Sequence, residues 1–260
     1  MSAELTWPAT PTDPEPGQLL LRATGIEKSF GGIRAVRGIS LECSERERLA
    51  IIGPNGAGKS TLFSLLAGHL APDAGTVEFQ GERIEGIGSA AVCRKGLART
   101  FQIPRPFGQL TVRENLMASA YLHHPRRRAA VAYAHELAER FGFVQHFETL
   151  AVNLNVADQK RLELARAYAT RPRLLLLDEV GAGLTEQELQ GLADVVRQLN
   201  LEDGIAIIFV EHVMSLVADL AQRVIVVDQG ATLAEGSVDE VMADPLVVAA
   251  YLGENDADSH

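Results

Sequence analysis

The stretch Gly53-Pro-Asn-Gly-Ala-Gly-Lys-Ser-Thr61 directly follows a short apolar run, Leu49-Ala-Ile-Ile52. It has the form G-x-x-x-x-G-K-[ST], which is typical of a loop between a buried strand and a helix. Glycines let backbone N–H groups turn inward around phosphate oxygens, because they carry no Cβ. Apolar residues then recur at roughly helical spacing, at Leu62, Phe63, Leu65, Leu66 and Leu70. The stretch therefore predicts a loop that binds the phosphates of a nucleoside triphosphate.

Every residue of this loop is a candidate for nucleotide binding. Lys59 is expected to reach the β- and γ-phosphates, and Ser60 to place its hydroxyl on a Mg²⁺ ion. The positive N-terminus of the following helix favours phosphate as well. The alternative is a glycine-rich surface turn, which the strand before the loop and the helical pattern after it disfavour. The candidates are Gly53, Pro54, Asn55, Gly56, Ala57, Gly58, Lys59, Ser60 and Thr61.

Length and composition narrow the class of protein. The chain has 260 residues, 47% of them apolar, which is enough for one large domain or a domain with an embedded subdomain. No apolar run approaches the roughly 20 residues that span a bilayer. The net charge of −10 disfavours a protein that coats nucleic acid, so no nucleic-acid partner is expected. Cys43 and Cys93 make no disulfide framework, which fits a reducing cytosol.

Strand-like and helical segments alternate along the chain, so the fold class is α/β. The early strands are short and separated by glycine turns, which favours an antiparallel sheet flanking the nucleotide. Residues 1–17 contain four prolines and are expected to form a disordered leader. The predicted strands cover residues 18–22, 39–43, 49–53, 76–79, 174–178, 205–210 and 223–227, and a hairpin is expected over 224–234.

The strand signal disappears between about residues 108 and 170, which predicts an all-helical insert in the α/β core. A capping box at Thr111 and Glu114 opens its first helix. Amphipathic stretches then cover residues 126–141 and 159–170. Further capping boxes pair Thr185 with Glu188 and Ser237 with Glu240.

A second chemical motif is Leu174-Leu-Leu-Leu177-Asp178-Glu179, a buried strand that ends in two carboxylates. We expect this strand to lie beside the strand before the phosphate loop, so that Asp178 faces the Mg²⁺ ion held by Ser60. Glu179 is then placed to polarise a water aimed at the γ-phosphate, as a general base. The alternative is a strand end followed by a solvated acidic turn.

Two further polar residues have weaker signals. His212 follows the apolar strand Ile205–Val210 and Glu211, where it is placed to contact the γ-phosphate and align the attacking water; a lone histidine is more often structural. Gln102 lies in a proline-containing loop from which it can reach the metal, although a surface glutamine is the more common case.

Taken together, these motifs resemble the ATP-binding cassette (ABC) ATPases over residues 18–254, with 255–260 left as a tail. The resemblance implies a RecA-like P-loop NTPase core with an antiparallel β subdomain and an inserted α-helical subdomain at about 108–170. It identifies residues 53–61 as Walker A, Asp178 as the Walker B carboxylate that binds Mg²⁺ and Glu179 as the catalytic glutamate. It also implies ATP and Mg²⁺ as cofactors. By the same motifs, Phe30 is the aromatic residue that stacks on adenine, Gln102 the Q-loop glutamine and His212 the switch histidine, while residues 182–184 fall at the D-loop.

Finer features are similar to the branched-chain amino acid importer ATPases. They include Arg99-Thr-Phe-Gln-Ile103, Glu211-His-Val-Met214 and the tail Ala250-Tyr-Leu-Gly-Glu254. This implies a cytoplasmic ATPase held at the inner face of the membrane by polytopic permease subunits, with a periplasmic or extracellular solute-binding protein and a second ATPase subunit. The alternatives are an exporter ATPase of the lipopolysaccharide type and a soluble cassette ATPase. The latter usually has two cassettes or long insertions, and neither is found here.

One segment departs from the family pattern. The signature Leu-Ser-Gly-Gly-Gln, which contacts the γ-phosphate bound by the opposite subunit, is replaced by Leu154-Asn155-Val156-Ala157-Asp158, followed by a matching Gln159. Asn155 is able to cap a helix. Both glycines are nevertheless lost, and Asp158 adds a negative charge. We therefore expect this subunit to pair with a non-identical ATPase rather than with its own copy.

Overall fold

The computed structural model describes residues 17–250 and contains two β-sheets flanked by helices. The predicted leader, apart from Gly17, and the predicted tail lie outside the described residues. The strands are β1 (Leu19–Phe30), β2 (Ile33–Ser44), β3 (Arg48–Ile52), β4 (Ala74–Phe79), β5 (Glu82–Arg83), β6 (Leu97–Arg99), β7 (Leu174–Asp178), β8 (Ala206–Val210), β9 (Arg223–Asp228) and β10 (Ala231–Gly236). The helices are α1 (Lys59–Leu66), α2 (Ser89–Arg94), α3 (Val112–Ala120), α4 (Arg127–Arg140), α5 (Val156–Ala169), α6 (Glu186–Leu201), α7 (Met214–Leu220) and α8 (Val238–Ala243), with short 3-10 turns at Val144–His146 and Ala151–Asn153.

The larger sheet has the strand order β10-β9-β3-β8-β7-β6. Strands β9, β3, β8, β7 and β6 are parallel to their neighbours, and only β10 pairs antiparallel, in the predicted hairpin with β9. Val210 lies opposite both Ile51 and Asp178 in register. The phosphate loop after β3, Glu179 after β7 and His212 after β8 therefore all leave the sheet at one edge.

The expectation that the four-leucine strand lies beside the phosphate-loop strand is wrong. β3 pairs with β8 and β9, and β8 separates it from β7. The sequence gives no signal for this order, because β3, β7 and β8 are all short, apolar strands that are followed by a candidate site segment. As a consequence, the strand that leads to His212 lies between the phosphate loop and the Asp178 carboxylate.

The leucine run in β7 is explained by burial on both faces of the sheet. Leu174 and Leu176 belong to a core that also contains α1 and the antiparallel sheet. Leu175 and Leu177 belong to a second core, formed with α5 and α6. All four side chains are at most 1% exposed. A parallel strand covered on both sides has no solvent-facing positions, so it shows no alternation of polar and apolar residues.

The smaller sheet is antiparallel, as predicted, and its strand order is β2-β1-β4-β5. Its first two strands are 12 residues each, much longer than the predicted segments. In the halves that were not predicted, buried apolar residues such as Ile26 and Val36 are isolated among partly or fully exposed positions, so no continuous apolar run marks them. The β2 strand is linked to the phosphate loop by hydrogen bonds through Gly230. The Arg37 N–H donates to Gly230 O at 2.7 Å, and the Gly230 N–H donates to Ala57 O at 2.9 Å.

Three α-helices, α3, α4 and α5, lie within the predicted helical insert. The capping box of α3 is present, with Thr111 accepting from the Glu114 N–H, as are those at Thr185 and Ser237. The third helix begins at Val156 rather than at 159, because Asn155 caps it and accepts a hydrogen bond from the Asp158 N–H at 2.7 Å. None of the helices between residues 17 and 250 is long and apolar enough to cross a membrane.

Candidate active site

The phosphate loop has the backbone geometry that its glycines permit. Gly56 and Gly58 have φ angles of 77° and 101°, in the region that side chains other than glycine rarely adopt. A Cβ on Gly58 would lie 2.2 Å from the Ala35 carbonyl oxygen, so no larger residue fits there. Above Gly56 there is open space within 4 Å, where a phosphate can approach the backbone.

Lys59 is the first residue of α1 and is 5% exposed. Its ammonium group donates to Gly53 O at 2.6 Å and to Pro54 O at 2.8 Å. The buried charge is thereby solvated by the carbonyls of the loop that it serves. An ammonium in this position lies at a helix N-terminus, where an anion is attracted by both the lysine and the N–H groups.

Asp178, at the end of β7, has a hydrogen-bond partner on one of its two carboxylate oxygens. Arg99 at the end of β6 donates from Nη2 to Asp178 Oδ2 at 2.5 Å, and both side chains are less than 9% exposed. Among the described residues, Asp178 Oδ1 is buried and has no hydrogen-bond partner. An orphaned carboxylate oxygen is costly unless a cation or donor satisfies it. The site therefore fits Mg²⁺.

The Mg²⁺ ion would require ligands besides side chains. Within residues 17–250, no group of three or more His, Cys, Asp or Glu residues is arranged to hold a metal. Mg²⁺ is commonly bound by one or two protein oxygens together with substrate phosphates and water. Asp178 and the Ser60 hydroxyl are the candidates for that role, and the ion would neutralise charge on the phosphates.

Glu179 is contacted by Gln102 and His212, the two site candidates that had the weaker sequence signals. The Gln102 amide donates from Nε2 to Glu179 Oε2 at 2.6 Å, and His212 Nε2 lies 3.0 Å from Glu179 Oε1. The three residues come from the loop after β6, the end of β7 and the end of β8. Gln102 is thus placed on the glutamate in this structure. Its predicted contact with the metal stays a prediction.

The backbone around Glu179 is unusual and is fixed by buried charges. Glu179 has a φ of 47°, a left-handed conformation that costs free energy in a residue with a Cβ. Lys160, on α5, donates to the carbonyls of Glu179 at 3.1 Å and Ala182 at 2.6 Å. On the other side, Glu211 accepts from the Gly181 N–H at 2.7 Å. Burial raises the pKa of Glu211 to about 7 and lowers that of Lys160.

The adenine-binding role of Phe30 stays a prediction. Phe30 ends β1 and is 46% exposed, with the Lys28 ammonium 5.8 Å from its ring centroid. An opening of about 430 Å³ lies next to the phosphate loop at Gly56. Its lining includes Ile33, Arg34 and Gly230, so the start of β2, three residues after Phe30, borders this space.

The divergent signature forms the first turn of α5. Leu154 is buried and accepts a hydrogen bond from Gln159 Nε2 at 3.0 Å, whereas Val156 is 56% exposed. The Asp158 carboxylate pairs with the Arg161 guanidinium. Its negative charge is therefore partly compensated within the subunit, which the sequence pattern did not indicate. Contact of this segment with a partner's nucleotide stays a prediction.

Sequence reasoning assigned no role to Arg99, Lys160 or Glu163. Arg99 stands three residues before Gln102 and was noted only as part of a family motif, and the other two lie on the helix after the signature. The available sequence signal for these three residues was a charged side chain at a position where the helix or strand pattern predicts burial. Their partners, however, are backbone or carboxylate groups 19 to 79 residues away in the sequence.

The fold and site define a P-loop ATPase of the cassette type. The family described as "ABC transporter" matches residues 36–182, and the family described as "Branched-chain amino acid ATP-binding cassette transporter" matches residues 231–257. The chain belongs to the ABC transporter family, as its ATP-hydrolysing, nucleotide-binding subunit. The predicted fold class and family are confirmed.

Relatives of similar length support this assignment. The chain is 40% identical to the high-affinity branched-chain amino acid transport ATP-binding protein LivG of Salmonella typhimurium, over 91% of this chain and 99% of that protein. It is 36% identical to BraF of Pseudomonas aeruginosa, which has the same description, over 90% and 98%. A nucleotide-free ATP-binding cassette from an ABC transporter superimposes with a TM-score of 0.83 at 29% identity, covering 90% of this chain and 99% of that one.

Replacing Lys59 tests the phosphate loop. Lys59→Ala removes the ammonium at the start of α1, so the ATP affinity measured by calorimetry should fall by roughly 30- to 100-fold, the scale of a lost charge-assisted hydrogen bond. Replacing Lys95, an exposed lysine at the C-terminal end of α2, with alanine should leave ATP binding like that of the parent. A folded Lys59→Ala protein with parental affinity would contradict the assignment of the loop.

Replacing Glu179 tests the general base. Glu179→Gln keeps the volume but removes the proton acceptor, so phosphate release should slow by at least about 100-fold while ATP still binds. Glu186→Gln, an exposed carboxylate in the first turn of α6, is the matched control and should hydrolyse normally. Parental turnover in Glu179→Gln would rule out Glu179 as the base.

Proposed function

We propose that this chain powers the import of branched-chain amino acids or closely related small solutes. The convergence of Gln102 and His212 on Glu179, at the same sheet edge as the phosphate loop, carries the part of the proposal that concerns ATP hydrolysis. The solute class is supported by 40% identity to LivG and by the family match over residues 231–257.

The catalytic cycle uses the residues already located. Lys59 and the backbone N–H groups of the phosphate loop would hold the phosphates of ATP, and Ser60 and Asp178 would hold a Mg²⁺ ion that neutralises charge on those phosphates. Glu179 accepts the proton of the attacking water, and His212 aligns that water with the γ-phosphate. In the present structure Gln102 and His212 each contact one oxygen of Glu179, which leaves acceptor capacity on both oxygens for the attacking water.

The chain works at the membrane as part of a larger assembly. We expect it to lie on the cytoplasmic face, bound to polytopic permease subunits, with a solute-binding protein on the opposite side. The helical region of α3, α4 and α5 is the part that transmits movement to the permease. A second, non-identical ATPase subunit completes the pair of nucleotide sites, because this chain's own signature has lost its glycines.

Transport measurements test the solute. Liposomes containing this chain, its permease subunits and a non-identical second ATPase should take up labelled leucine, isoleucine and valine when ATP and the solute-binding protein are supplied. Glu179→Gln should abolish uptake. An assembly that hydrolyses ATP but transports none of the three, and whose turnover none of them stimulates, would contradict the proposed solute.

Restoring the signature tests the unequal pairing. The site that joins the partner's phosphate loop to Leu154–Asp158 has lost the serine and both glycines of the family signature. The loss of one γ-phosphate donor can cost roughly 100- to 1,000-fold in rate. The measurement uses the assembly in which this chain carries Glu179→Gln, so that only the partner's site can turn over. Asn155→Ser, Val156→Gly, Ala157→Gly and Asp158→Gln together should then raise its ATP turnover.

The single change Asp158→Asn is the control for charge. It removes the carboxylate but restores no glycine, and Arg161 already compensates that charge, so it should raise turnover far less than the full restoration. An unrestored partner site that is already fast, or a restored one that is no faster, would show that the divergent signature is functionally neutral.

A further inference from the structure

The loop that carries Gln102 is attached to α5 by Glu163. The Phe101 N–H donates to Glu163 Oε1 at 2.8 Å, and the Arg105 N–H donates to Glu163 Oε2 at 3.1 Å. Each carboxylate oxygen thus holds the backbone on one side of Gln102. Glu163 is only 6% exposed.

Arg166 provides a second attachment, one turn further along the same helix. Its Nη1 donates to Arg105 O at 2.8 Å, and its guanidinium lies 4.6 Å from the centroid of the Phe107 ring. Helix α5 therefore holds residues 101–107 through a hydrogen-bond acceptor, Glu163, and a donor, Arg166. Gln102 itself is exposed, so its side chain is free to move while its backbone is held.

Burying a carboxylate is unfavourable unless hydrogen bonds or opposite charges compensate for the lost hydration. Burial raises the pKa of Glu163, and the two backbone donors and the nearby Arg166 act in the opposite direction. A neutral side chain could anchor this loop at lower cost, but it could not accept a hydrogen bond at both ends of the segment without presenting a donor as well.

The helix that holds the loop is also the helix that begins with the signature. Asn155 caps α5, and Glu163 lies about two turns further on. The loop that Glu163 holds carries Gln102, whose amide contacts Glu179. One rigid element therefore joins the segment expected to meet the partner's nucleotide to a side chain on this chain's own catalytic glutamate.

We propose that Glu163 is a positioning residue for ATP hydrolysis. It fixes residues 101–105 to α5, so that a movement of this helix carries the Gln102 amide from its contact with Glu179 to the metal site. This inference rests on the proposed function, because it takes Gln102 as a ligand of Mg²⁺. Glu163 acts on the reaction only through Gln102.

The variant Glu163→Gln tests this role with little change in volume. Its amide has a single acceptor oxygen, so one of the two backbone N–H groups loses its partner and faces an NH₂ donor instead. ATP affinity is measured by calorimetry on the full chain at increasing Mg²⁺ concentration. The Mg²⁺ midpoint is the concentration that gives half of the Mg²⁺-dependent gain in affinity, and it should rise roughly three- to tenfold in this variant. ATP affinity in EDTA should not change.

Glu47→Gln is the matched control. Glu47 is also largely buried and accepts a backbone N–H, that of Ser44 at 2.7 Å, but it precedes β3 at the opposite edge of the sheet. Its substitution should leave the Mg²⁺ midpoint unchanged. Hydrogen–deuterium exchange at Phe101 and Arg105 should quicken in Glu163→Gln and not in Glu47→Gln, which ties the shift to the loop.

The double variant with Gln102→Ala decides whether Glu163 acts through Gln102. Gln102→Ala alone should raise the Mg²⁺ midpoint, and adding Glu163→Gln should raise it no further. If Glu163→Gln does not fold, Glu163→Asp, which keeps the charge but withdraws both oxygens, is compared in the same way. A parental midpoint in the Glu163 variant, or a shift that persists undiminished without Gln102, would overturn the positioning role. A parent chain that binds no ATP would instead overturn the proposed function.

Discussion

The shared carboxyl edge of the parallel sheet is the constraint on which the rest of the site depends. Parallel strands in register end at the same edge, and Ile51, Val210 and Asp178 lie in one row across β3, β8 and β7. The residues that follow them bring the phosphate loop, His212 and Glu179 together without any contact between side chains being needed first. Ligands of open α/β sheets bind at this edge for the same reason.

Burial on both faces keeps this edge in place. The two cores meet the same strands from opposite sides, so a strand that slid by one residue would move its side chains from one close-packed core into the other and disrupt the packing of both. The polar groups at the edge are then few and individually fixed, such as Asp178 by Arg99 and the 179–182 loop by Lys160 and Glu211. The residues that remain free to change partners are Gln102 and His212, which are exposed.

The sequence predicted the elements of this site better than their arrangement. The phosphate loop, the carboxylates after β7 and the histidine after β8 were recognisable because each follows a buried strand in a spacing tied to its chemistry. The order of strands was mispredicted, since equally apolar strands give no pairing signal. β6 was missed because three residues are too short to show a pattern, and the charged contacts of Arg99, Lys160 and Glu163 were missed because their partners are distant in the sequence.

The central claim is that this edge forms a Mg²⁺·ATP site in which Asp178 offers its unpartnered oxygen to the metal while Arg99 keeps the other. The most direct test is a crystal structure of the Glu179→Gln chain with ATP and Mg²⁺. The account predicts a Mg²⁺ ion about 2.1 Å from the Ser60 hydroxyl, with Asp178 Oδ1 oriented towards it directly or through one water, and with the Lys59 ammonium on the β- and γ-phosphates. Nucleotide bound away from residues 53–61, or a metal ion with no contact to Asp178 through either route, would contradict it.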